Sequence, residues 1–167
     1  MIEVAIDSIR ISLISQHRIV MLRDIDGERQ LPIWIGPCEA EAITIELQDV
    51  EIARPVTHDL LKNAIENMGG TVSHILVNEL RDQVFYARLF VDVNGEMLEI
   101  DCRPSDAIAV AVRAKVPIFI DESVMEEAGI LPEADIEEEA GAEGAEELDA
   151  FKDFVDTLDF DDIEGDE

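Results

Sequence analysis

The sequence predicts an α+β fold, in which a mixed, mostly antiparallel sheet built from hairpins packs against helices. Alternating apolar residues mark several strands that are joined by short Asp-Gly and Asn-Gly turns, which favour antiparallel hairpins. The nearly all-apolar run 107–112 directly follows the polar sequence Asp-Cys-Arg-Pro-Ser-Asp at 101–106. A helix that is apolar on every side must be buried, so this run predicts a central helix behind a strand.

The N-terminal segment has the pattern of two strands. Apolar residues alternate over residues 2–13 and change phase near Asp7 or Ser8, which predicts a strand with a bulge. A second strand covers 18–25 and is followed by Asp26-Gly27, which favours a tight type I′ turn.

That turn sets the register of the third strand. It places Val20 opposite Ile33 on one apolar face and Ile19 opposite Trp34 on the other. We therefore expect this hairpin to be covered on both faces. An apolar hairpin with a free sheet edge also suggests a homo-oligomer.

Two helices follow the hairpin. Gly36-Pro37 predicts the start of a helix over 37–48, because proline is tolerated at the first helical position. Thr57 is the expected N-cap of the second helix, which ends at Gly69-Gly70.

The second half of the domain has the pattern of a meander and a crossover. The turn at Asn94-Gly95 predicts a second type I′ hairpin, which sets Leu89 opposite Ile100. Ser105 is the expected N-cap of the buried helix. The predicted elements are strands over 71–80, 84–93 and up to 102, a helix over 105–115, a strand over 117–120 and a helix over 122–128.

The same hairpin register suggests partners for two polar residues of the 101–106 junction. Asp101 stands opposite Arg88, which predicts a cross-strand ion pair. Arg103 stands opposite Tyr86, which predicts a cation–π contact.

The charge of the chain is strongly acidic and uneven. The 167 residues carry a net charge of −28, and residues 121–167 alone hold 21 acidic residues and one basic residue. We therefore expect a folded domain over 1–130 and, over 131–167, an acidic linker and an amphipathic helical tail that binds its own domain or a basic partner. The body is nearer balance, and abundant acid with only three lysines suggests adaptation to high salt.

The remaining composition suggests a soluble cytoplasmic protein. Cys38 and Cys102 form no C-x-x-C motif and are expected to be free thiols. No basic and apolar leader begins the chain, and no apolar run reaches the roughly 18 residues expected of a membrane span.

Two polar junctions have the same order of residue types. Arg54-Pro55 precedes Thr57-His58-Asp59, and Arg103-Pro104 precedes Ser105-Asp106. Helix N-termini and arginines favour anions, so the junctions could converge on a phosphate. The spacing is equally well explained if proline ends the extended chain and the hydroxyl residue caps the helix.

Glu39 and Glu46 lie seven residues apart on one stripe of the first helix. Two carboxylates on one stripe can hold a divalent cation, but they can equally be two solvated glutamates.

Four separated motifs, taken in order, resemble the bifunctional nuclease family. They are Leu-Pro-Ile-Trp-Ile-Gly-Pro at 31–37, Arg-Pro-Val-Thr-His-Asp-Leu-Leu at 54–61, Phe-Tyr-Ala at 85–87 and Asp-Cys-Arg-Pro-Ser-Asp-Ala-Ile-Ala at 101–109. The resemblance spans residues 1 to about 130. It implies a compact α+β domain and cleavage of DNA and RNA.

If the domain hydrolyses phosphodiester bonds, as this resemblance implies, the chemistry of that reaction suggests roles for these polar residues. A Mg²⁺ or Mn²⁺ ion would activate water and offset the acidic repulsion of the substrate. The expected catalytic residues are His58, Asp59 and Asp106. The expected phosphate-binding residues are Arg54, Thr57, Arg103 and Ser105. The expected metal ligands are Glu39, Asp101 and Asp106.

Two other functions fit the same residues. The domain could be a regulatory binding module in which the polar junctions are caps and the acidic tail recruits a basic partner. It could also bind a small anion at the helix N-termini. Metal-dependent cleavage of both DNA and RNA would separate the first interpretation from these two.

Overall fold

The computed structural model describes residues 1–11 and 17–132. Its elements are β1 (Ile2–Ile11), β2 (Arg18–Asp24), β3 (Gln30–Ile35), α1 (Pro37–Leu47), α2 (Thr57–Asn67), β4 (Gly70–Arg81), β5 (Val84–Val93), β6 (Glu96–Cys102), α3 (Pro104–Ala114), β7 (Ile118–Ile120) and α4 (Glu122–Ala128). The predicted tail over 131–167 lies outside the described residues from 133 onward.

One sheet of seven strands, in the order β3-β2-β1-β7-β4-β5-β6, organises the domain. Only the β4–β7 pairing is parallel among the described strands. The prediction of a mixed, mostly antiparallel α+β fold is therefore confirmed. Helix α3 makes the crossover from the edge strand β6 back to β7, passing over β4 and β5.

The meander hairpin forms as the sequence predicts. Asn94 has φ 55° and Gly95 has φ 87°, which are the two positive values that a type I′ turn requires. Leu89 pairs with Ile100, as expected. The bulge in β1 is also confirmed, since the register with β2 shifts between Ile6 and Ser8.

The turn at Asp26-Gly27 is not of type I′, although the register that it was expected to set is correct. Val20 pairs with Ile33, but neither Asp26 nor Gly27 has a positive φ. The Asp24 carboxylate accepts a hydrogen bond from the Asp26 N–H at 3.0 Å. This side-chain contact closes the loop and replaces the backbone geometry of the tight turn.

The second face of this hairpin is open rather than covered. Trp34 pairs with Ile19 as predicted, yet 58% of Trp34 remains exposed. The helices of the described domain cover the other face, where Val20 and Ile33 are buried.

The core lies between that covered face and the helices. The predicted burial of α3 is confirmed, since every residue from Ala107 to Ala111 is at most 1% exposed.

Both predicted N-caps are displaced by one or two residues. Val56 is the N-cap of α2, and Thr57 is its first residue. Arg103 is the N-cap of α3, where Pro104 takes the first helical position and Ser105 is buried in the first turn. No helix in the described part of the chain is both long and apolar enough to cross a bilayer.

Candidate active site

A cavity of about 410 Å³ lies where α1 and the N-terminal ends of α2 and α3 meet. The two polar junctions of the sequence therefore converge. The residues that line the cavity are Cys38, Glu39, Glu41, Ala42, Ile45, Val56, Thr57, His58, Arg103 and Asp106.

A histidine and an aspartate from different helices face each other in this cavity. His58 Nε2 lies 3.1 Å from Asp106 Oδ1, and the His58 side chain is only 10% exposed. Burial raises the pKa of Asp106, but hydrogen bonds from Arg103 and His58 outweigh burial and hold this pKa below its ordinary value. Asp106 is thus ionised at neutral pH and can only accept, so His58 Nε2 carries the donated proton.

Arg103 connects this pair to α1. Its Nε donates to Asp106 Oδ2 at 2.8 Å, and its Nη2 donates to Asp106 Oδ1 at 3.1 Å and to Glu39 Oε1 at 2.6 Å. Hydrogen bonds to the Asp106 and Glu39 carboxylates raise the pKa of Arg103. The Arg103 side chain is nevertheless 67% exposed, so solvent and ligands reach it.

Gly36 explains the position of the Glu39 carboxylate. Gly36 is the N-cap of α1, and a Cβ at this residue would overlap Glu39 Oε2. The absence of a side chain therefore lets Glu39 fold back over the start of its helix toward Arg103.

The predicted cation–π contact between Arg103 and Tyr86 is wrong. The guanidinium of Arg81 lies 4.6 Å from the centroid of the Tyr86 ring instead. Arg103 is withdrawn from the end of β6 because two carboxylates hold it beside the cavity.

Asp59 has a structural partner that the sequence analysis missed. Asp59 Oδ1 accepts from Arg113 Nε at 2.6 Å, and its Oδ2 accepts from the Val56 N–H at 2.9 Å. Burial raises the pKa of Asp59, but hydrogen bonds from the Val56 N–H and from Arg113 outweigh burial and leave this pKa below its ordinary value. Asp59 caps α2 and is not among the residues that line the cavity.

The buried side chain of Arg113 connects α3 to α1 and α2. Its side chain is 3% exposed, and its Nη1 and Nη2 donate to the carbonyls of Ala109 and Ala42 at 2.8 and 2.9 Å. The sequence contained a signal for this role of Arg113, because an arginine in an otherwise apolar, buried helix needs hydrogen-bond acceptors inside the domain.

The other predicted site residues are placed differently. Arg54 is exposed and lies outside the lining of this cavity. Ser105 lines a neighbouring cavity of about 260 Å³. Asp101 pairs in register with Arg88, but no ion pair joins their side chains among the described residues. Asp101 also belongs to no group of three potential metal ligands in that part of the chain.

The described residues contain no group of three His, Cys, Asp or Glu side chains arranged to hold a metal ion. Glu39 and Asp106 nevertheless reach the same guanidinium. They offer hard oxygen ligands from two helices, which suit Mg²⁺ or Mn²⁺ better than Zn²⁺.

Comparison with known proteins gives the chain a family context. The family model described as the bifunctional nuclease domain matches residues 20–133, which include every residue that lines the cavity. The match covers the two polar junctions and the hairpins between them.

The chain is also similar to a mycobacterial protein and to plant proteins. An uncharacterized protein of Mycobacterium tuberculosis is 39% identical over 162 residues, which cover 96% of this chain and 97% of that protein. Bifunctional nuclease 2 of rice (Oryza sativa subsp. japonica) is 36% identical over 115 residues, and bifunctional nuclease 1 of Arabidopsis thaliana is 32% identical over 109 residues. These matches cover 66% and 63% of this chain, but only 35% and 34% of the plant proteins.

Proposed function

Because the chain belongs to the bifunctional nuclease domain family, we propose that it hydrolyses phosphodiester bonds of DNA and RNA in the cavity between α1, α2 and α3. The observation that carries the proposal is the connected network of His58, Asp106 and Arg103 beside that cavity. It combines a proton carrier, a group that orients it and a cation for phosphate.

His58 is the proposed general base or acid. Its Nε2 proton is donated to Asp106, so the tautomer that this hydrogen bond selects has its lone pair on Nδ1. No residue in the described parts of the chain hydrogen-bonds to Nδ1. A water at this nitrogen would be activated for attack on phosphorus, while Asp106 stabilises the resulting imidazolium.

Arg103 is the proposed phosphate ligand. Three of its five N–H donors bond to Asp106 and Glu39, and the two on Nη1 have no acceptor among the described residues. They can contact a phosphate oxygen and its developing negative charge without breaking the network. Thr57 lines the same cavity and supplies a hydroxyl donor.

Glu39 and Asp106 are the proposed ligands for Mg²⁺ or Mn²⁺. Magnesium often binds through one or two carboxylates, keeps several waters and takes its remaining ligands from substrate phosphates. Such an ion would stabilise charge on the phosphate and reduce repulsion between the polyanion and a chain of net charge −28. Asp101 stays outside the proposed ligand set, because no group of three His, Cys, Asp or Glu side chains among the described residues is arranged to hold a metal ion.

A small-anion-binding module is the alternative that the structure favours second. Both α2 and α3 begin at this cavity, and Arg103 is exposed there. Such a module would bind phosphate without cleaving a phosphodiester bond. Strand cleavage therefore distinguishes the two functions.

The decisive experiment is cleavage of end-labelled single-stranded DNA and RNA by the purified full chain with Mg²⁺ or Mn²⁺. We expect both the DNA and the RNA substrate to be cleaved, and we expect His58→Gln to reduce the cleavage rate at least about 100-fold. Met68→Ala is the matched control, because Met68 is 78% exposed and lies outside the lining of the cavity. Absence of cleavage, or a His58→Gln protein as active as wild type, would overturn the proposal.

A further inference from the structure

Trp34 is an exposed aromatic residue without an obvious structural role. It lies near the end of β3, and 58% of it is exposed. The His17 ring meets it edge-on, with the ring centroids 5.7 Å apart and an interplanar angle of 89°. Tryptophan is usually largely buried, so an indole left open on a sheet face points to a binding role.

Trp34 belongs to a second cavity that reaches the proposed active site. This cavity has a volume of about 260 Å³, and it lies between β3, the start of β5 and the start of α3. Phe85 is a second aromatic residue in its lining, and Arg103 lines this cavity as well as the larger one. One guanidinium therefore stands between an aromatic cavity and the His58–Asp106 pair.

We propose that this aromatic cavity binds an unpaired base of a single-stranded polynucleotide, stacked on Trp34, next to the phosphate that Arg103 holds. The inference rests on the proposed nuclease function and narrows its substrate to single strands. Proteins that bind single strands without sequence preference combine aromatic platforms with cations along the backbone. Bases within a duplex are already stacked and cannot enter such a cavity.

The charge of the chain makes stacking especially useful. Residues 1–120 carry 19 acidic and 11 basic side chains, so few cations are available to neutralise phosphates. Stacking on an indole involves no net charge, and it raises affinity by about five- to 150-fold per base. A base site beside Arg103 thus compensates for the weak electrostatic attraction between this acidic domain and the phosphates of the nucleic acid.

Trp34 also provides the measurement, because it is the single tryptophan of the chain. We titrate the full chain with a thymidine decanucleotide and follow the tryptophan fluorescence. We expect quenching by the decanucleotide, little quenching by an abasic decamer that keeps the phosphates, and weak quenching by a blunt duplex. Equal quenching by the abasic decamer, or none by the thymidine strand, overturns the base site.

Kinetics give an independent test. We expect Trp34→Ala to raise KM for single-stranded DNA at least about fivefold with kcat nearly unchanged, and Trp34→Phe to recover most of the loss. Met68→Ala is again the control for loss of an exposed apolar side chain. An unchanged KM in Trp34→Ala overturns the inference.

The two proposals fail separately. If the strand is cleaved but the fluorescence and KM do not respond to the base or to Trp34, the base site is wrong and the nuclease function stands. If base-dependent quenching occurs without any cleavage, the nuclease function is wrong and the single-strand site stands.

Discussion

His58 Nε2 and Asp106 Oδ1 lie 3.1 Å apart, which joins the second residue of α2 to the third residue of α3. Neither helix alone contains a proton carrier with an oriented partner. The junction of the two helix starts creates that pair, and Arg103 then couples it to α1. The arrangement depends on helix packing, so residues distant from the cavity also affect it.

Replacement of Asp106 by asparagine should abolish most of the activity. An asparagine at this place can donate to His58 as well as accept from it, so the imidazole loses its fixed tautomer and the charge that stabilises its protonated form. We expect kcat to fall at least about 100-fold with a smaller change in KM. Single-turnover cleavage at saturating substrate measures this directly.

The control for this change is Glu122→Gln. Glu122 lies on α4 and pairs with Arg29 at 2.9 Å, away from the lining of the cavity. We expect Glu122→Gln to cleave at the wild-type rate. Equal rates for Asp106→Asn and wild type would contradict the assigned role of Asp106.

Arg113→Ala should destabilise the domain strongly. The change removes the donors that Arg113 supplies to Asp59 Oδ1 and to the carbonyls of Ala109 and Ala42. Loss of one partner from a buried pair of this kind costs about 3–5 kcal/mol. Urea unfolding followed by circular dichroism measures the difference.

An exposed arginine provides the comparison. Arg23 is 47% exposed and lies 3.6 Å from Asp7, a pair whose loss is expected to cost at most about 1 kcal/mol. If Arg113→Ala and Arg23→Ala lose the same free energy of unfolding, Arg113 does not support the helix junction.

Low pH should destabilise the domain through Asp59 and Asp106. The folded state holds both pKa values below their ordinary range, so the unfolded state takes up protons first as the pH falls. The stabilisation is therefore complete above about pH 4 and is lost as the pH drops through the lowered values. Asp59→Asn should show a weaker fall in unfolding free energy below pH 4. A wild-type slope in this variant would contradict the assignment.

The sequence predicted what depends on local pattern. The Asn94-Gly95 turn followed from its two residues, and the buried α3 followed from its apolar composition. The predicted type I′ turn at Asp26-Gly27 was wrong because the Asp24 side chain accepts a hydrogen bond from the loop backbone. Such a contact depends on geometry that the residue pattern does not contain.

The candidate site was predictable only in part, for a related reason. Each Arg-Pro junction was visible, but their meeting depends on how α2 packs against α3. The predicted contact between Arg103 and Tyr86 extends the register of β6 one residue beyond the end of the strand. At that position Glu39 and Asp106 are stronger electrostatic partners for Arg103. Trp34 was expected to be covered, and only the arrangement of β3 in the sheet shows that it is open.

The two cysteines should react very differently with iodoacetamide. Cys38 is exposed and lines the larger cavity. Burial, followed by the charges of Asp101 and Asp106, raises the pKa of Cys102 to about 11. At pH 8 only about one Cys102 thiol in a thousand is a thiolate, which is the reactive form.

We therefore expect mass spectrometry to find carbamidomethyl on Cys38 long before Cys102. The added group at the cavity should slow cleavage at least about tenfold, because small displacements of reacting groups are costly. Cys38→Ser should keep its activity after the same treatment. Earlier modification of Cys102 would contradict the described burial.

Glu39→Gln separates the two roles of this carboxylate. If Glu39 holds the metal ion, the amide should raise the half-saturating concentration of Mg²⁺ or Mn²⁺ at least about tenfold while saturating metal restores most of the rate. Glu46→Gln, on the same helix seven residues later, should leave the metal requirement unchanged. If Glu39→Gln also leaves it unchanged, Glu39 serves only to restrain Arg103 through their 2.6 Å hydrogen bond. In that case KM for the oligonucleotide should fall, because the released guanidinium binds phosphate without a competing carboxylate.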